Sequence, residues 1–264
     1  MEEARTLMVV NVALILLIVG FFSFVAFVLI RRSILQRMQS ERLAAMGTAS
    51  ARILHQVKNP IQTLMIQADA LGALRDPDEK ERLARGIVLE AKRLGDLLGE
   101  LSAFAAGERR QLNPVSTKLS ALLRELGEAE RADAERAGVT IEMKLNGDGQ
   151  AMVDVYFLRQ ALQNLMRNAR EALLQAGRTD GLVRLSLEVR SDEAVIEVAD
   201  NGPGLPPEKA DRIFEPFATT KPKGMGLGLP IARDIIRGHG GEMDVRTKST
   251  GCTFRITLPL EVRN

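Results

Sequence analysis

The 264-residue chain carries 36 Lys and Arg against 34 Asp and Glu, a formal net charge of +2, and is 45% hydrophobic. That balance, with no basic stripe interleaved with aromatics, excludes a nucleic-acid binder, while the apolar content suffices for one or two packed domains. The single cysteine, Cys252, excludes an intrachain disulfide and suits a reducing compartment.

Leu7–Ile30 contains no charge and only Asn11 and Ser23 as clearly polar residues. At about 1.5 Å per residue the run reaches roughly 36 Å, enough to cross a bilayer core with some tilt. A cleaved signal peptide fits less well, because the start is acidic (Glu2, Glu3), the run is long, and Arg31 and Arg32 follow at once. Arg31, Arg32, Arg37 and Arg42 on the C-terminal flank predict that everything after residue 30 is cytoplasmic. Only Met1–Thr6 precede the span, too few for a sensor domain, so the signal is expected within the membrane or from a separate sensor protein.

Ser33–Ala73 reads as one long helix with a seam at Met46, Ser50, Ile53, Val57, Ile61, Leu64, Ala68 and Leu71. At about 100° per residue, His55 lies opposite the midpoint of Ile53 and Val57, so the helix buries its seam and holds an imidazole out to solvent. Taken alone this is an ordinary surface histidine. Arg75–Glu79 (RDPDE) is a turn with Pro77 at a helix start. A second helix follows to about Ala106, with a seam at Leu83, Ile87, Leu94, Leu98, Leu101 and Ala105. Two such helices bury too little to be stable alone, so two copies forming a four-helix bundle are expected; the competing arrangement is a hairpin packed on the C-terminal half of one chain.

Gly107–Pro114 is a polar linker. Beyond it, helices are expected at Leu119–Ala137, Val155–Ala176 and Leu227–Arg237. Strands are expected at Val139–Leu145, Leu182–Arg190, Glu193–Ala199, Glu242–Thr247 and Cys252–Leu260, with a turn at Asn146–Gln150. Helices on one face of a mixed sheet make an α+β sandwich.

The chemistry concentrates there. Leu158, Leu162, Leu165 and Ala169 form a buried stripe, and Asn164 and Asn168, four apart, are expected on another face. An amide oxygen is a neutral, hard ligand suited to magnesium already bound to phosphates. ADNGPGL (199–205) follows a strand, so an aspartate there can accept a hydrogen bond while glycines let backbone approach a flat ligand. KGMGLGL (223–229) opens a helix and aims free N–H groups at an anion. It lacks the GK[ST] ending of a P-loop and the βαβ frame of a dinucleotide site. PFATTKPK (216–223) is a candidate lid.

In this order the motifs resemble the bacterial sensor histidine kinases over about residues 45–260. The phosphoacceptor motif stands as His55-Gln56-Val57-Lys58-Asn59-Pro60-Ile61. The asparagine box is Asn164-Leu165-Met166-Arg167-Asn168-Ala169, and the DxGxG box is Asp200-Asn201-Gly202-Pro203-Gly204. Ile213-Phe214-Glu215-Pro216-Phe217 through Thr219-Thr220-Lys221-Pro222 match the phenylalanine box and lid. The second glycine box is Gly224-Met225-Gly226-Leu227-Gly228-Leu229, and His239-Gly240-Gly241 and Gly251-Cys252-Thr253-Phe254 complete the order.

The resemblance implies a multidomain fold: a membrane anchor (1–31), a signalling helix linker (32–48), a dimerisation and phosphotransfer hairpin (49–107), and an ATP-binding α/β sandwich of the gyrase and heat-shock chaperone type (108–264). It implies a homodimeric, single-pass protein of the bacterial inner membrane, acting on a response-regulator receiver domain. Carried over, Asp200 bonds the adenine amino group with Gly202 and Gly204 beside it. Asn164 and Asn168 belong to the nucleotide site, Asn168 holding magnesium. Thr219, Lys221, Gly224, Gly226, Leu227 and Gly228 line the phosphates, and Thr253 sits near the nucleotide. His55 attacks the γ-phosphate, and Asn59, one turn on, orients water for dephosphorylating the regulator. Gln56 stands where the family usually has an acid. An amide carries no charge to stabilise an imidazolium, so Gln56→Glu is expected to label faster than the natural chain. Two rivals follow from the same residues. A water-hydrolysing ATPase is disfavoured, since such enzymes place a glutamate where Asn164 stands. A kinase-weak membrane scaffold or phosphatase is suggested by Gln56.

Overall fold

The computed structural model describes Phe24 and residues 40–107, 111–210, 212–219 and 224–261. Apart from Phe24, the span expected at Leu7–Ile30 lies outside the described residues, among which no helix is long and apolar enough to cross a membrane. The chain divides into two compact units, Met1–Ser50 and Ala51–Asn264. In the first, residues 40–50 are helical.

The second unit opens on helix α1, residues 51–73, and three residues later on α2 (Pro77–Ala106). Asp76 caps α2 by accepting the Asp78 N–H at 3.1 Å, and Asp78 and Glu79 complement the helix dipole in the first turn. The helix stops at Gly107, whose positive φ of 53° most residues resist. Leu97 and Phe104 are its buried side chains, whereas Leu54, Met65, Ile66, Val88 and Leu89 of the two helices stay exposed.

The α/β half is built on a five-stranded sheet in the order β2-β4-β5-β7-β6. Its strands are β2 (Val139–Asn146), β4 (Gly181–Val189), β5 (Glu193–Asp200), β6 (Glu242–Lys248) and β7 (Gly251–Pro259). β2 and β4 run parallel; the other pairs are antiparallel. One face packs against α3 (Leu119–Arg136), α4 (Val155–Gln175) and α6 (Gly228–Gly238), with Val183, Leu185, Leu187, Ile196, Ile256 and Leu258 in the core. Strand alternation turns Arg184 and Glu142, and Arg255 and Glu197, to the other face, where each pair bonds across strands at 2.8 Å. A separate antiparallel pair, β1 (Val115–Lys118) with β3 (Gln150–Val153), and the short helix α5 (Pro207–Ala210) complete the unit. The strand β3 begins at the residue that ends the expected turn Asn146–Gln150.

Asp154 fixes the start of α4. Its Oδ1 accepts the N–H groups of Tyr156 (3.1 Å) and Phe157 (3.2 Å), and its Oδ2 accepts that of Asn113 (2.9 Å). Burial pushes this carboxyl up, but the Asn113, Phe157 and Tyr156 donors outweigh it and hold the group below the usual carboxylate range. His239 is buried after α6; its Nε2 accepts the Asp154 N–H at 2.8 Å while its Nδ1 lies 2.7 Å from the Ile235 carbonyl. The neutral ring protonated at Nδ1 satisfies both contacts and ties α6 to the head of α4.

Candidate functional site

A cavity of about 930 Å³ lies between α2, α4, the loop after β5 and the segment before α6. That volume accommodates a nucleotide-sized ligand. Asp200 closes one end. Its Oδ1 accepts the N–H groups of Gly202 (2.8 Å) and Cys252 (3.3 Å). Burial lifts the Asp200 carboxyl above its ordinary range, and these two donors only partly offset it. Gly202 does not line the cavity; it serves by approach, since a Cβ there would stand 2.7 Å from Asp200 Oδ1. At Gly204, φ is +70° and a Cβ would meet the Lys248 carbonyl oxygen at 1.8 Å, so only glycine fits the loop.

The opposite end is the segment leading into α6. Thr219, Gly224, Gly226 and Gly228 line the cavity, and the first turn of α6 begins at Gly228. Free N–H groups at a helix start suit an anion. Gly226 has φ +71°, a Cβ there would meet the backbone of Phe217 and Ala218 within 2.9 Å, and the Phe217 N–H donates to the Gly226 carbonyl at 3.1 Å. Lys221 lies outside the described residues. Leu227 is fully buried and does not reach the cavity.

On α4 the two asparagines part ways. Asn168 lines the cavity, but Asn164 is buried and does not. Asn164 Nδ2 donates to the Gly228 carbonyl at 3.4 Å and its Oδ1 accepts from Arg167 Nη2 at 2.8 Å. It fastens α4 to the head of α6, so the structure does not bring Asn164 to the cavity wall beside Asn168, where the resemblance implied it. Thr253 is corrected by strand parity. Cys252 and Phe254 point into the cavity and Thr253 between them points away. The cavity therefore meets the Cys252 thiol, whose Sγ donates to Thr247 Oγ1 at 3.6 Å and whose pKa burial pushes up.

Arg167 and Glu100 are among the wall residues not singled out from sequence. Arg167 sits inside the asparagine box and could have been read there. Glu100 of α2, which accepts from Arg167 Nη2 at 2.8 Å, carries no sequence signal. Burial raises the Glu100 carboxyl, with Arg167 pulling it partly back.

His55 is exposed on α1, between the half-buried Ile53 and Val57, and Asn59 is exposed one turn on. Gln56 is half-buried, and its Nε2 donates to the Gly224 carbonyl at 3.0 Å. The histidine is thus one residue from a side chain that touches the cavity wall.

Residues 153–262 match the family of histidine kinase-, DNA gyrase B- and HSP90-like ATPases, so the α/β half is an ATP-binding domain of that class. The sensor protein kinase PilS of Pseudomonas aeruginosa is 32% identical over 229 residues, 85% of this chain and 43% of PilS. The sensor protein FixL of Bradyrhizobium diazoefficiens is 32% identical over 243 residues, 87% of this chain and 48% of FixL. The chain spans less than half the length of either relative. A solved structure of the histidine kinase ThkA in complex with the response regulator protein TrrA superposes with a TM-score of 0.66 at 26% identity, covering 84% of this chain and 64% of that one. Residues 153–262 therefore belong to that ATPase family, and most of the chain is similar to bacterial sensor kinases.

Proposed function

We propose that this chain is an ATP-dependent protein-histidine kinase. It transfers the γ-phosphoryl group of ATP to His55, and an aspartate of a response-regulator receiver domain then takes that group. One observation carries the reading: an outward imidazole follows directly on the α1 turn whose next residue, Gln56, bonds Gly224 at the nucleotide cavity.

The residues present fit the nucleotide. Asp200 is a half-buried acceptor for an adenine amino group, and the glycines before α6 offer N–H groups to phosphates. Asn168 would give an amide oxygen to magnesium. Among the described residues no group of three His, Cys, Asp or Glu stands ready to hold a metal, which suits an ion carried chiefly by the phosphates. Magnesium, when bound, neutralises charge on the transferred group. The protein's own contribution is to position the phosphate in line with the His55 nitrogen, since phosphoryl transfer needs alignment and charge balance more than covalent help. Asn59, exposed on the face of His55, would orient water for removing phosphate from the regulator.

Exposed Leu54, Met65, Ile66, Val88 and Leu89 support a homodimer in which a second hairpin covers them. The run Leu7–Ile30 supports a single-pass anchor in the bacterial inner membrane. The divisions 1–31, 32–48, 49–107 and 108–264 follow from these roles. The kinase-weak scaffold rested on Gln56 alone, and the contact Gln56 makes gives it another purpose.

The test is labelling of the purified chain with γ-labelled ATP. An acid-labile, base-stable phosphoryl group is expected on the wild type and absent from His55→Ala and Asn168→Ala. Release of free phosphate with an unlabelled His55 would sink the reading.

A further inference from the structure

Arg52 and Gln56 stand one turn apart on α1 and share a face. Each donates to a backbone carbonyl of the segment that lines the phosphate end of the cavity: Arg52 Nη1 to Phe217 at 2.8 Å, Gln56 Nε2 to Gly224 at 3.0 Å. The two receiving residues belong to one structure, because the Phe217 N–H donates to Gly226, two residues from Gly224. Phe217 itself has φ +63°, an uncommon conformation for a non-glycine residue that persists only when its surroundings impose it. The surroundings are visible: α2 sets the buried Phe104 ring edge-on to Phe217, centroids 5.6 Å apart, while Arg52 holds the Phe217 carbonyl.

The chemistry of position 56 follows from its acceptor. A carbonyl oxygen demands a donor. Glutamine has two N–H bonds to offer; an ionised glutamate of the same length has none. The other amide atom, Gln56 Oε1, is buried with no partner. A carboxylate would therefore put charge on two oxygens out of water, one against the Gly224 carbonyl and one facing nothing. Among the described residues, Gln56 makes no hydrogen bond to the His55 ring, as a residue acting as the histidine's proton acceptor would.

We infer that Gln56 is a positioning residue: with Arg52 it seats the Gly224–Gly226 segment of the same chain on the helix turn that carries His55, and it does so as a hydrogen-bond donor. This rests on the kinase reading and deepens it. It also reverses the expectation drawn from sequence. Adding a carboxylate at position 56 costs the seat, so Gln56→Glu slows phosphorylation of His55.

The experiment uses the full chain and the variants Gln56→Glu, Gln56→Met, Arg52→Lys and Arg52→Met. Two quantities are measured: initial rate of His55 labelling against ATP concentration, and hydrogen exchange of the backbone amides at 217–226. Gln56→Glu and Gln56→Met should both lower kcat about tenfold, the cost of one lost buried hydrogen bond, and leave KM for ATP within about twofold. Exchange at Phe217 and its neighbours should rise in both. Arg52→Lys, which keeps a donor, should retain more activity than Arg52→Met. Labelling of Gln56→Glu as fast as wild type or faster, or a loss confined to Gln56→Glu while Gln56→Met stays normal, overturns the proposal. If the wild type takes no label, the kinase reading fails. The seat is then judged on exchange alone, which stands if it rises in both Gln56 variants and falls if it does not change.

Discussion

Glu100 on α2 and Arg167 on α4 form a 2.8 Å charged hydrogen bond on the wall of the nucleotide cavity. The same Arg167 nitrogen also holds Asn164, which in turn bonds the first residue of α6. A helix of the histidine-bearing hairpin thus grips the ATP-binding domain at its asparagine box. The carboxylate there presents negative charge to the cavity proposed for the phosphates.

Glu100→Gln should therefore tighten ATP binding. It removes a like charge from the phosphates' surroundings and leaves Arg167 freer to meet them; a gain of about three- to tenfold in affinity is expected. Because burial holds the Glu100 carboxyl above the ordinary range, wild-type affinity should also rise as pH is lowered toward that range. The Gln variant should lack that increment. Calorimetric titration with a non-hydrolysable ATP analogue at several pH values measures both.

Asp200→Asn separates folding from binding. An amide oxygen can accept from Gly202 and Cys252 as the carboxylate does, so the loop should keep its shape. A carboxyl with a raised folded pKa supports the fold while protonated, and that support is lost as pH rises through the folded value. At neutral pH the charge is a liability, and the melting temperature of Asp200→Asn should be equal to or above wild type. Nucleotide binding should fall more than about tenfold, since an amide N–H would face the adenine amino group. Paired thermal melts and nucleotide titrations decide it.

Asp154→Ala should cost about 1–2 kcal/mol of stability, the loss of an N-cap. The Asp154 carboxyl is held below its ordinary range, so its contribution is present above that range and lost as pH falls through the folded value. The gap between wild type and variant in urea unfolding should be full above about pH 4 and close below it.

Gly204→Ala should fail to fold normally or lose about 2 kcal/mol or more, because a methyl at that position would strike the Lys248 carbonyl in a backbone conformation that alanine resists. A circular-dichroism melt shows it. An unchanged melting temperature would mean that the loop between β5 and α5 is free to move away from β6.

Long alternations of apolar and polar residues specify their strands. The expected strands at 182–190, 193–199 and 252–260 appear within a residue of their observed ends, because seven or more alternating residues specify which side faces the core. Strands β1 and β3 escaped, since four residues cannot display a period. The exposure of His55 was legible from the seam around it. Asn164 was not: helical geometry put it four residues from Asn168, but the head of α6 packs against that turn and buries it. Thr253 failed by one residue, which in a strand is the difference between two faces.

Residue order therefore settled the family's motifs, the alternation of the long strands and the outward turn of the imidazole, since each depends on neighbours close in the chain. Which side chains meet the cavity was decided by contacts across long separations: Cys252 with Asp200, Asn164 with Gly228, Glu100 with Arg167, Gln56 with Gly224. No local pattern encodes these pairs, because a hydrogen bond between distant segments exists only once the sheet, the hairpin and the glycine loops have packed.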